Sequence, residues 1–221
     1  MIASEDQARA LVALLGGVEA VARCEHLITL LATENERQNL VSAGSLPEAW
    51  VRHIADSAQL LNYVPRETPG PWLDLGTGAG FPGLVVAALR PELPVVMVES
   101  RARRVEWLER TCRELELRQA RVIGSRLERV DAFPVTVISA RAFAPLDRLI
   151  ALSARFSTSD TIWLLPKGRS AWDEVNRLSG WRHMFHVEQS ATDPEAGVVV
   201  GTLNGSGAAG GELRDEKAHS T

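Results

Sequence analysis

A chain of 221 residues has room for one sizeable α/β domain and a smaller accessory element. With 45% hydrophobic and 24% charged residues, and no apolar run near the roughly 20 residues of a membrane span, the composition is that of a globular protein and excludes a membrane-spanning one. A formal net charge of −4 excludes an indiscriminate nucleic-acid binder, which would be strongly basic, although all basic residues except Lys167 and Lys217 are arginine, the side chain whose planar fork suits phosphate and base stacking.

The first block, "MIASEDQARA", is acidic where a secretory leader is basic and then apolar, so the expected location is the cytoplasm. Residues 5–15 and 18–34 carry apolar side chains at helical spacing on either side of Gly16-Gly17, which predicts two helices and a tight connection. Cys24 and Cys112 are too few and too far apart for a disulfide framework or a metal cage; they read as buried thiols, and no metal is expected. Ser45, with Pro47 and Glu48 after it, reads as the cap of a third helix running to Tyr63. Residues 1–66 are therefore expected to form a helical N-terminal subdomain.

The Pro/Gly-rich stretch "VPRETPGP" (64–71) ends that pattern, and from 67 to 204 short apolar strands alternate with helices. Strands are expected at 71–75, 94–98, 120–124, 135–139 and 161–165, and helices at 82–90, 101–117, 145–154 and 170–178. Two closing strands, 181–189 and 196–203, are joined by a short loop. This alternation predicts an α/β, Rossmann-like fold: a mostly parallel seven-stranded sheet with helices on both faces and an antiparallel edge hairpin. Residues 205–221, "GSGAAGGELRDEKAHST", have almost nothing to bury and read as a disordered tail.

The stretch "WLDLGTGAG" (72–80) carries most of the functional information. Gly78-Ala-Gly80-Phe-Pro-Gly83 satisfies G-x-G-x-x-G and Glu99 follows about 20 residues on, as in a dinucleotide site, which keeps an NAD(P)-dependent oxidoreductase as one alternative. Asp74, however, puts a carboxylate where a pyrophosphate would sit, and Pro82 removes a backbone donor from the start of the helix. S-adenosylmethionine suits such a site better, being cationic at its ammonium and sulfonium and free of phosphate. Asp74 then reads as an electrostatic handle at the turn, and Glu99 as the acceptor for the ribose hydroxyls. Gly76, Gly78 and Gly80 let the backbone approach the ligand without a Cβ in the way. A structural reading of the same carboxylates also exists: Asp74 as a turn or helix-capping group, Glu99 as a cap of the next helix.

Three blocks, "NLVSAGSLPEAWVRHIADS" (39–57), "DLGTGAGFPGLVVAALRPELPVVMVES" (74–100) and "VISARAFAPL" (137–146), in this order and spacing, resemble the bacterial small-subunit ribosomal RNA guanine-N7 methyltransferase family, also called glucose-inhibited division protein B. The resemblance covers about residues 20–205 and implies a class I methyltransferase fold. It also implies methyl transfer from S-adenosylmethionine to N7 of a guanosine in the 530 loop of 16S rRNA, on free rRNA or the 30S subunit, by a monomer that needs no membrane. Carried onto this sequence, the family's donor contacts fall at Gly76, Phe81, Leu127, Glu128 and Arg141. One departure stands out: the family usually has an Asp opening the fourth strand, where this chain reads "FPVTVIS".

Guanine N7 bears a free lone pair, so its methylation releases no proton and requires no general base. Arg141, just after the fourth strand, is the candidate catalytic residue linking donor and RNA, or else a structural ion pair to a helix carboxylate. Arg52 and His53 are candidates to grip RNA across the cleft, with an interior His53 bonded to Asp56 as the alternative; Lys167 and Arg169 offer phosphate contacts or are solvated loop charges. Substitution of Asp74 or Gly76 is expected to impair donor binding and leave the fold intact. A non-catalytic ribosome-assembly RNA-binding protein is the other alternative function.

Overall fold

The computed structural model describes residues 1–206. Ser4 opens α1 (Glu5–Asn35), its hydroxyl accepting the amide of Gln7, with Glu5 and Asp6 in the first turn where carboxylates meet the positive end of the helix dipole. The helix breaks at Gly17, which leaves helical geometry at φ 79° and ψ −174°, so two helices meet at the Gly16-Gly17 pair as expected. Gly16 packs so closely on the end of a later helix that a Cβ on it would lie 3.1 Å from the carbonyl oxygen of Leu89.

The third helix differs from expectation. Ser45 lies in a separate 3-10 turn, Ala43–Ser45, and the helical run begins at Trp50 as a π-helix (Trp50–Ala55), continuing through α2 (Asp56–Ala58) into a 3-10 turn (Gln59–Tyr63). Its cap is the carboxylate of Glu5, which accepts the amides of Trp50 and Val51 at 3.3 and 3.1 Å. A cap supplied from the start of another helix leaves no local signature, which is why Ser45 was the better candidate on spacing alone.

Five parallel strands, β1 (Trp72–Leu75), β2 (Val95–Glu99), β3 (Ala120–Gly124), β4 (Val137–Ser139) and β5 (Ile162–Lys167), lie in the order β3-β2-β1-β4-β5. The edge is antiparallel: β8 (Gly197–Ser206) pairs with β5 on one side and with β6 (Trp181–His183) and β7 (His186–Gln189) on the other. The single strand expected at 181–189 is thus divided, giving eight strands in seven positions. The break faces Gly201, where a Cβ would stand 2.3 Å from the carbonyl oxygen of Met184, so that backbone crosses where no side chain fits. β8 runs on to Ser206, past the expected start of the tail; the rest of that tail lies outside the described residues.

Strand periodicity sorts side chains between two cores. Trp72, Val95, Met97, Val137 and Leu164 face one side, packed against α1, the 50–63 helix, α3 (Gly83–Leu89) and α4 (Ala102–Glu114). Leu73, Leu75, Val96, Val98, Ile138, Trp163 and Leu165 face the other, covered by α5 (Leu146–Ser153) and the start of α6 (Ala171–Arg177). All seven residues of α3 are buried. The strand order reverses between β1 and β4, and in open α/β sheets the crevice beyond the carboxyl ends at such a reversal is where ligands bind.

Candidate active site

Alternation along β1 puts Asp74 on the same face as Trp72, beneath the start of α3, and the side chain is wholly buried. Its carboxylate accepts from the Thr77 hydroxyl at 2.6 Å, the Ser139 hydroxyl at 2.8 Å and the amide of Gly83, first residue of α3, at 3.0 Å; Ser139 in turn accepts from the indole of Trp72 at 2.8 Å. Burial pushes the Asp74 carboxyl up to about 6, opposed by these hydrogen bonds and by Arg141. Asp74 lines neither of the two cavities described below, and its bonds are those of the turn and helix-capping carboxylate of the alternative reading, in place of the direct donor contact expected from sequence. The place an anionic ligand would take at the helix N-terminus is already filled from within the chain, which speaks against a pyrophosphate.

Beyond the turn lies a cleft of about 490 Å3, bounded by Gly76, Glu99, the 125–128 loop and the 142–145 loop. Gly76, Gly78 and Gly80 all have positive φ (61°, 62° and 111°), a backbone path that side chains other than glycine rarely follow. Gly76 is the partly exposed one and faces the cleft; Gly78, Gly80 and Phe81 are buried behind it and are not part of its lining. Glu99, only 6% exposed, accepts from the amides of Gly78, Ser100 and Arg101 at 3.0, 2.7 and 2.8 Å, and Arg104 stands 3.9 Å away. A carboxylate has about four lone-pair sites, so one remains for a hydroxyl in the cleft. Leu127 and Glu128 form part of the wall, and the exposed Arg101, Arg126 and Arg148 surround the mouth.

A second cavity of about 970 Å3 lies on the far side of the 142–145 loop, and Arg141 opens onto it with Arg52, His53, Asp56 and Lys167. Arg141 bonds Asp56 at 3.2 Å, approaches His53 Nδ1 at 3.5 Å and lies over the Phe81 ring at 5.1 Å. His53 is buried, stacked on Phe81 with ring centroids 5.0 Å apart. Its Nε2 lies 2.9 Å from the Ser45 hydroxyl, whose hydrogen goes to the Ser42 carbonyl; Nε2–H therefore donates and Nδ1 accepts from Arg141. Burial first, then Arg141 and Arg52, lower the His53 pKa to about 4. The ring is neutral at pH 7 and both its nitrogens are engaged. Arg141→Ala is expected to move the His53 titration upward in NMR, and Arg141→Lys to hold it low; an unmoved pKa would leave burial and Arg52 as the causes.

The alternative partner of His53, Asp56, belongs instead to Arg141. The Lys167 ammonium lines the larger cavity and directs two of its three N–H groups to the Ala144 carbonyl and Glu174, both at 2.9 Å, while Glu174 also accepts the Leu146 amide at 2.8 Å. It anchors the loop between the cavities. Arg52 and Arg169 remain exposed, paired with Glu48 and Glu195 at the surface. Thr77 and Ser139 escaped sequence reasoning, and Asp56 was read with the wrong partner. All three stand inside quoted motifs, but only the fold reveals what they touch. At the start of β4, where the family's Asp is missing, Thr136 bonds the Pro71 carbonyl through amide and hydroxyl.

Among the described residues no group of three or more metal-ligating side chains occurs, and no helix is long and apolar enough to cross a membrane. Similar folds among solved structures include a mutant of MtNAS in complex with S-adenosylmethionine (TM-score 0.58, 14% identity, 92% of this chain and 85% of that one). Another is the Methanococcus jannaschii fibrillarin pre-rRNA processing protein (TM-score 0.51, 20% identity, 65% and 70%). In sequence, the chain is 60% identical over 202 residues to the ribosomal RNA small subunit methyltransferase G of Erythrobacter litoralis, covering 91% of this chain and 97% of that protein. It is also 60% identical over 187 residues to the protein of the same name from Novosphingobium aromaticivorans (83% and 81%). The family model described as rRNA small subunit methyltransferase G matches residues 21–193, a span holding the glycine turn, Glu99, Arg141, the whole smaller cleft and most of the lining of the larger cavity, and on these matches the chain belongs to that family.

Proposed function

We propose that this protein transfers a methyl group from S-adenosylmethionine to N7 of a guanosine in the 530 loop of 16S rRNA, acting as a monomer on rRNA or the 30S subunit. The observation that carries the reading is the pair of cavities sharing one wall. A donor-sized cleft with an unfilled carboxylate acceptor lies on one side of the 142–145 loop, and a larger, partly basic cavity lies on the other.

S-adenosylmethionine supplies an electrophilic methyl on a positively charged sulfur. Glu99 takes a ribose hydroxyl with its remaining lone pair, Gly76 admits the ligand against bare backbone, and Leu127 and Glu128 close the wall. The neutral, fully engaged His53 fits a reaction that abstracts no proton, so the chain acts by positioning and by the charge it arranges around the reacting atoms. Arg141, braced by Asp56, faces the RNA side, and Arg52 and Arg169 meet phosphate there.

Small subunits isolated from cells lacking this protein, incubated with it and radiolabelled donor, are expected to gain label at N7 of one guanosine in the 530 loop, mapped by mass spectrometry. Donor binding without any label on RNA would favour the assembly-factor alternative. Arg141→Ala is expected to lower turnover roughly tenfold to a hundredfold, the loss of charge-assisted hydrogen bonds, with a smaller effect on melting temperature. Equal loss of both would make Arg141 structural.

A further inference from the structure

Phe143 is the one phenylalanine, tyrosine or tryptophan among the residues lining either cavity, and it lines both. Its ring lies flush on the turn: a Cβ on Gly76 would stand 2.2 Å from it. The other aromatic group in the larger cavity, His53, already has one face on Phe81, whereas Phe143 has no aromatic partner among the described residues. The ring is also held on a fixed mount. Before it, Arg141 is tied to Asp56 and Ala142 takes the left-handed region at φ 52°; after it, Lys167 holds the Ala144 carbonyl and Glu174 the Leu146 amide. A non-glycine residue kept at positive φ persists where its surroundings over-determine it.

We propose that Phe143 is the stacking platform for the target guanine and that its face stabilises the positive charge the base acquires. This rests on the methyl-transfer reading above. Guanine N7 lies on the major-groove edge, which in A-form RNA is too deep and narrow for a protein site to enter, so the target is best presented as an unstacked base, and such bases are held on aromatic side chains. In the transfer the N7 lone pair forms the new N–C bond as the C–S bond breaks with its electron pair left on sulfur. Positive charge passes from sulfur to the purine, and no proton moves. A phenyl face attracts a cation more than a neutral ring, so this contact strengthens toward the transition state and raises kcat rather than merely lowering KM.

The test replaces Phe143 with 4-fluoro-, 3,5-difluoro- and pentafluorophenylalanine, which drain the ring's negative face and nearly preserve its shape. On small subunits lacking the mark, kcat is expected to fall stepwise, by roughly 2- to 30-fold across the series, with KM for subunits within about twofold. Donor affinity, measured by calorimetry without RNA, is expected to stay constant. Phe143→Leu should lower kcat/KM roughly 5- to 150-fold, and Phe143→Tyr should restore most of it. A flat kcat series in an active enzyme overturns the proposal, and so does a donor affinity that falls with fluorination, which would assign the ring to the sulfonium. A wild-type protein that leaves N7 unmethylated overturns the underlying reading, and this proposal with it.

Discussion

Gly76→Val is expected to weaken S-adenosylmethionine binding at least about 100-fold, near or beyond calorimetric detection, corresponding to ~2.7 kcal/mol. Two effects act together. Gly76 holds φ 61°, and an L-residue in the left-handed region costs about 1–2 kcal/mol, more when it branches at Cβ. The new Cβ would also stand 2.2 Å from the Phe143 ring, so the valine displaces the ring and fills the cleft. Since Gly76 lies at the cleft surface, the strain falls on the site first and the melting temperature should drop only by a few degrees. Gly168→Ala is the control: a Cβ there meets nothing within 4 Å, and donor affinity should not change. Undiminished binding by the valine variant would remove the donor from this cleft.

Asp74→Ala is expected to damage the fold as well as the site, contrary to the expectation of an intact fold. It strips the Gly83 amide and the Thr77 and Ser139 hydroxyls of their acceptor inside the protein, and each buried polar group left unpaired costs about 1–3 kcal/mol. Relief from burying a carboxylate offsets part of this, leaving a net loss of about 2–5 kcal/mol and a melting temperature lower by roughly 5–15 °C. Asp74→Asn keeps an acceptor for Gly83 and separates hydrogen bonding from charge. In the wild type the buried carboxyl holds its proton to about pH 6, against an ordinary value of 3.8. Tighter proton binding in the native state stabilises the fold fully below pH 3.8, and that contribution is lost as pH rises through 6, by about 3 kcal/mol. Urea unfolding from pH 3.5 to 7 should show this decline in the wild type and its absence in the Asn variant. Parallel curves would mean that burial does not perturb Asp74.

How far the sequence carried depended on the distance over which each feature is encoded. The strand–helix alternation, the break at Gly16-Gly17 and the glycine turn came through because apolar periodicity and positive-φ glycines are written in adjacent residues. Glu99 was legible for a related reason: the end of the strand after the turn must face the turn in a parallel sheet. Asp74 shows the limit. Its alternation with Trp72 already placed it on an inward face, but the carboxylate was read as facing a ligand because Ser139, 65 residues away, is brought to it only by β4 lying beside β1.

The sequence by itself therefore determined the class of fold, the order of its elements and the glycine turn beside which the proposed donor cleft lies. Tertiary structure alone decided which charged groups are free to act. Glu5 caps a helix that begins at Trp50, Glu174 ties Lys167 to the inter-cavity loop, and Asp56 pairs with Arg141. Backbone preferences are set within a few residues, whereas a charge in a low-dielectric interior must find its partner wherever the sheet order delivers one.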